Sequence, residues 1–163
     1  ARPVTRPEYV VSRWFAAGLA GTLLAFAQVA IAVAWMALGH AAPAAGEVAV
    51  LAAGNALLAF GGAAVIVCLS ACLDGLGDVA AWFLGAIALA LTGNLAEYKH
   101  WPVLARAVTE LQGVLEPRVD LAWLFRGGGP SWFELASYAS TVTLCLALAI
   151  ARLNRRELSY AAG

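Results

Sequence analysis

Thr5-Arg6-Pro7-Glu8-Tyr9-Val10-Val11-Ser12-Arg13-Trp14-Phe15 is where the chain changes solvent. Up to Arg13 charges recur every few residues; from Trp14 to Gly46 there are none. A charge-free run of that length holds a membrane-spanning helix, which needs about 20 apolar residues to cross about 30 Å of hydrocarbon. The pattern repeats. No Asp, Glu, Lys or Arg occurs from Val48 to Leu73 or from Val79 to Ala96, and Trp132 to Ala151 holds only Glu134, near its start. With 63% hydrophobic and 12% charged residues, the composition excludes an ordinary soluble domain. The fold class is therefore all-α: a polytopic membrane helix bundle with four transmembrane helices, at about 14–38, 48–73, 79–95 and 132–151.

The opening segment carries its own helix signal. Thr5 and Glu8 spell a capping box, in which each side chain satisfies the other residue's free backbone N–H. Pro7 falls in the first turn, where its missing N–H costs nothing. The spacing predicts a helix that starts at Thr5, lies on the membrane surface within residues 1–13, and feeds the first span at Trp14. Arg2, Arg6 and Arg13 suit an anionic, cytoplasmic face.

That segment also resembles a known one. Arg2-Pro3-Val4-Thr5-Arg6, then Glu8-Tyr9, then a basic residue just ahead of a span, is similar to a cytoplasmic segment of ABC-2-type transporter permeases. The family shows Arg-Pro-[Val/Ile]-[Ser/Thr]-Arg, Glu-[Tyr/Phe] and a Gly-Lys pair; here Ser12-Arg13 stands where Gly-Lys is usual and keeps the charge. The close of the chain, Leu153-Asn154-Arg155-Arg156-Glu157-Leu158, resembles that family's tail, and Pro117 with Asp120 resembles its loop before the last span. The resemblance implies a permease subunit in which Arg2, Pro3, Thr5, Arg6, Glu8, Tyr9 and Arg13 couple to a separate ATPase subunit. ATP and Mg would sit in that partner, with no cofactor in this chain. A second permease copy or homologue and the lipid bilayer would be the other partners, in a bacterial cytoplasmic membrane. It also implies two further spans ahead of Ala1.

Within the spans, Ala17, Gly21 and Ala25 recur every four residues, an interval that lets a neighbouring helix approach closely in lipid. Trp14 and Trp35 mark the two interfaces of the first span. Gln28, Asn55, Thr92 and Asn94 are polar groups in apolar surroundings, each either a helix–helix hydrogen bond or part of a substrate pathway. Gly61-Gly62 permits close packing or a bend. Residues 97–131 form the longest polar stretch, read as an extracytoplasmic loop. In it Trp101, Leu104, Val108, Leu111 and Leu115 recur at three-and-four spacing, opposite Arg106, Thr109, Glu110, Gln112 and Glu116. That is an amphipathic helix at about 102–116, whose expected bed is the membrane interface or the top of the bundle. Residues 152–163 make a basic cytoplasmic tail.

Four spans put both termini on one side. The terminal segments hold Arg2, Arg6, Arg13, Arg152, Arg155 and Arg156, against Lys99, Arg106, Arg118 and Arg126 in the long loop, so the termini are expected inside. Several chemistries are missing from the sequence. It has no phosphate-binding Gly-x-x-x-x-Gly-Lys-[Ser/Thr], no Gly-x-Ser-x-Gly, no His-Glu-x-x-His and no Cys-x-x-Cys. Nothing marks a nucleic-acid partner. Cys68, Cys72 and Cys145 read as small hydrophobes, no metal site is called, and the Asp74 to Asp78 segment reads as an ordinary turn. His40 and His100 both fall at span ends. No acid or base lies deep in a span, which speaks against a proton-coupled carrier. Three readings follow: an ATP-driven permease subunit, a non-transporting scaffold or accessory subunit of a larger membrane complex, and a membrane-embedded enzyme or cofactor carrier.

Overall fold

The computed structural model describes residues 5–39, 43–73, 77–117, 119–121, 123 and 131–160. Arg2, Pro3 and the turn residues Asp74 to Leu76 lie outside the described residues, as do His40 and the Gly127 to Pro130 stretch. Those described form five helices: α1 (Arg6–Leu38), α2 (Ala45–Cys72), α3 (Gly77–Tyr98), α4 (Pro102–Leu115) and α5 (Trp132–Tyr160). Of these, α1, α2, α3 and α5 are long and apolar enough to cross a membrane. The all-α bundle read from the charge-free runs is the one the structure has.

The helix predicted from Thr5 does begin there, with Thr5 as its N-cap, but it is not a separate surface element. Residues 6–38 form one helix of 33 residues, about 50 Å long against about 30 Å of hydrocarbon. Nothing between Arg6 and Trp14 breaks it: after Pro7 the sequence holds neither proline nor glycine until Gly18. The charged turns are the protruding end of the first span.

The pairings define the bundle. α1 packs on α2 and α5, α2 also packs on α5 and α3, and α3 packs on α4. Val10, Val67, Ala71 and Ala149 make a buried knot of α1, α2 and α5, with Trp14, Leu146, Ile150 and Leu153 packed around it. Two polar tips bind α2 by its backbone: Trp14 Nε1–H donates to the Phe60 carbonyl at 2.9 Å, and Tyr138 O–H to the Leu57 carbonyl at 2.7 Å. Gly61 and Gly62 strip α2 of side chains next to these carbonyls, which lets the rings reach the main chain. Elsewhere the surface is apolar, with Leu23 and Ile31 each about 70% exposed, as suits lipid rather than water.

α4 is the amphipathic helix expected, but its bed is α3. A Cβ at Gly93 would meet Val108, and one at Gly85 would meet Leu115, so α4 runs antiparallel along α3 rather than across the end of the bundle. Trp82 Nε1–H points to the Leu115 carbonyl at 3.4 Å. The buried and half-buried positions of α4 are Ala105, Val108, Gln112 and Leu115; Leu104 and Leu111, from the predicted stripe, are exposed. The chain then turns inward. The Pro117 carbonyl lies against Gly61, which is about 24 Å along α2 from its start. So part of the stretch read as an external loop re-enters the bundle.

Candidate functional site

Two places gather the chemistry. The first is the end of the bundle where α1 begins and α5 finishes. The Thr5 backbone N–H donates to Glu8 Oε2 at 2.8 Å, which is the reciprocal arm of the predicted box. That backbone bond, and then the Thr5 hydroxyl, hold the Glu8 carboxyl below its ordinary range on these turns ahead of the span. The Arg13 guanidinium reaches back one turn to Tyr9 Oη at 3.4 Å. Arg6 Nη1 donates to Asn154 Oδ1 at 3.0 Å, tying α1 to α5 across 148 residues of sequence. Thr5, Arg6, Glu8, Tyr9 and Arg13, with Arg152, Asn154 and Arg155, are all exposed, so they form one arginine-bearing platform.

The second is a run of three cavities. Gln28 and Asn55, far apart in sequence, line one cavity of about 540 Å³ between α1, α2 and α3, together with Trp82, Phe83 and Glu116. A neighbouring cavity of about 330 Å³ between α4 and α5 is lined by Thr109, Glu110, Glu116, Glu134, Ser137, Tyr138 and Thr141 among others. Glu116 borders both. A third, of about 150 Å³, holds Asn94 and Glu97 of α3 against Thr109 and Gln112 of α4, and the last two residues also line the second cavity. Polar side chains thus trail from Asn94 to Gln28. Thr92 stays out of these linings: its hydroxyl donates to the Ala88 carbonyl, one turn back, at 2.7 Å.

Glu116 is the residue sequence reasoning placed wrongly. The spacing puts it on the polar face of the amphipathic helix, and the antiparallel seat of α4 carries it inward to line two cavities. One signal for that seat exists in the sequence. Gly85, Gly93 and Ala96 put a small-residue face on α3, and Ala96 is fully buried. Glu134 is likewise committed at the mouth of α5, where Oε2 accepts the Asp120 backbone N–H at 3.2 Å. Among the described residues no group of three or more His, Cys, Asp or Glu is disposed to hold a metal ion. No protein-family model, no curated protein and no solved structure matches this chain.

Proposed function

We propose that the chain is a membrane-spanning permease subunit of an ATP-driven transporter of the ABC-2 type, coupled to a separate ATPase subunit through the platform. The Arg6–Asn154 bond carries this reading. Two of the stretches that resemble the family are the opening and the closing one, and their described residues Thr5, Arg6, Glu8, Tyr9 and Arg13 share a surface with Asn154 and Arg155. The uninterrupted α1 supplies the mechanics. A push on Arg6, Tyr9 and Arg13 moves Gly21, Ala25 and Gln28, which line the cavity of about 540 Å³, because one rigid helix bears both groups. Gln28 is about 33 Å along that helix from Arg6. In this reading the platform faces the cytoplasm of a bacterial cell, ATP and Mg²⁺ are held by the partner, and a second permease copy or homologue completes the translocation path. The alternative, a scaffold without transport, gives no role to cavities lined by carboxylates and amides.

The test leaves the helix cap alone, since Glu8 is committed to Thr5. Arg13→Glu with Arg155→Glu reverses the platform's charge, and the Lys pair at the same positions keeps it. An ATPase chain should be recovered with the wild-type protein and the Lys pair and lost with the Glu pair, along with its ATP hydrolysis. Recovery that ignores the reversal, or no ATPase chain with wild type, overturns the assignment.

A further inference from the structure

We propose that Cys68 of α2 and Cys145 of α5 are a redox-sensitive pair, which a low-molecular-weight disulfide such as glutathione disulfide converts into a bond clamping the two helices together. The pair lines none of the three cavities described above, and its chemistry does not depend on the transporter reading.

Packing places the sulfurs. Val67 and Ala71 of α2 meet Leu146 and Ala149 of α5 in the buried knot. Cys68 follows Val67 in the chain and Cys145 precedes Leu146, so the same crossing brings the two together. Ala71 and Ala149, 6% and 0% exposed, let the helices approach closely there. The Cys68 thiol is within hydrogen-bonding reach of Cys145 and of Cys72. Only Cys145 is placed to bond it covalently. A disulfide needs Cβ atoms about 3.5–4.5 Å apart, whereas residues four apart on a helix hold theirs about 5–6 Å apart. Closing Cys68 on Cys72 would unwind the last turn of α2. Depth also suits the reaction. The 28 residues of α2 span about 42 Å, roughly 12 Å more than the hydrocarbon. Shared between both ends, that excess puts Cys68, about 6 Å from the end of α2, at the edge of the hydrocarbon. Cys72 is exposed there and the other two thiols are half-buried, so a water-soluble oxidant reaches them.

The exchange balances. One thiol of the pair loses its proton and attacks the small disulfide, releasing a small thiolate that takes up that proton. The second thiol does the same to the mixed disulfide and releases the other half. Two cysteine thiols are oxidised to one S–S bond, and one small disulfide is reduced to two thiols. A soft monovalent ion such as Cu⁺ on the two thiolates would leave a net negative charge beside hydrocarbon, whereas the disulfide is neutral. In the orientation proposed above, the pair rests as thiols in a reducing cytoplasm and closes under oxidative load.

The full chain in a neutral maltoside detergent provides the test. It is equilibrated in glutathione buffers from reduced to oxidised, quenched in acid, denatured and treated with a maleimide-polyethylene glycol that adds one gel shift per free thiol. Wild type should fall from three shifts to one, and Cys72→Ser from two to none. Both should keep monomer mobility on a non-reducing gel, and the intact mass should show the loss of two hydrogens rather than a gain of glutathione. Cys68→Ser and Cys145→Ser should show no such loss. Amide hydrogen exchange over residues 146–154 of α5 should slow several-fold in oxidised wild type and oxidised Cys72→Ser, and dithiothreitol should restore it. Three shifts throughout, glutathione or intermolecular adducts in place of the bond, or a bond that survives Cys145→Ser overturns the proposal. So does a bond that leaves exchange in α5 unchanged. No ATPase takes part, so loss of the coupling assignment leaves this result standing, and the reverse.

Discussion

A methyl group added at Gly18 has nowhere to go but the ring of Phe60. That ring cannot swing aside freely, since Trp14 packs on it edge-on at 5.5 Å and Phe15 at 5.8 Å. Gly18→Ala should therefore push α1 off α2 and lengthen the Trp14–Phe60 hydrogen bond, at about 1–3 kcal/mol for forced overpacking. Reversible unfolding in mixed micelles would measure it, with Gly54→Ala, whose Cβ meets nothing, as the neutral comparison. Glu8 gives a second prediction of the same size of structure. Its carboxyl is held below the ordinary range by the Thr5 backbone N–H and hydroxyl, so the folded form prefers it ionised. The cap is then fully in place above the ordinary carboxylate range and lost as pH falls through the lowered value. A spin label at Arg6 should become more mobile over that acid interval, and in Glu8→Gln the mobility should be raised already at neutral pH and flat with pH. A label as still in Glu8→Gln as in wild type would show the box to be idle.

Among the elements, α4 shows how far sequence reaches. Charge-free runs disclose the four spans because a charge in hydrocarbon is costly enough to be excluded, and helix length follows from bilayer thickness. The three-and-four spacing between Pro102 and Pro117 likewise discloses α4 as a helix. Periodicity says which face is apolar, not what covers it. Leu104 and Leu111 were read as one stripe with Val108, yet only Val108 is buried, because the bed is the small-residue face of α3 and lipid receives the rest. Glu116 is legible only as part of that helix's polar face for the same reason: its depth is tertiary. Gln28, Asn55 and Asn94 were legible as polar groups needing a partner, and the structure puts the first two in one cavity. The seat of the re-entrant segment can be tested at Gly61. A Cβ there would stand 3.0 Å from both the Pro117 carbonyl and the Tyr138 ring, and Tyr138 is anchored by its bond to Leu57. Gly61→Ala should displace Pro117 rather than Tyr138. Protease cleavage or maleimide labelling of a cysteine at Glu110 should rise several-fold in that variant and stay unchanged in Gly54→Ala. Unaltered labelling in both would place α4 and its continuation elsewhere.

For the molecule as a whole, the tie between Arg6 and Asn154 fixes which ends lie together, and the antiparallel run of the spans fixes the rest. Arg13, Arg152 and Arg155 share the end of Arg6 and Asn154, along with the close of α2 at Cys72. Trp35, Glu47, Tyr98 and Lys99 belong to the opposite end. Arginine near a span resists transfer across the membrane, so the proposed function has the arginine-rich end kept on the side of synthesis. The expected orientation is therefore platform inside, with Tyr98 outside and 77% exposed. Single cysteines test it once Cys68, Cys72 and Cys145 are replaced by Ala. A membrane-impermeant maleimide applied to intact cells should label a cysteine at Tyr98 and spare cysteines at Ser12 and Arg155. All three should react after the membrane is opened. Labelling of Ser12 and Arg155 with sparing of Tyr98 would invert the molecule and take the platform out of reach of any cytoplasmic ATPase. Labelling of Ser12 without Arg155 would break the pairing of the two ends, and with it the shared surface on which the transporter reading stands.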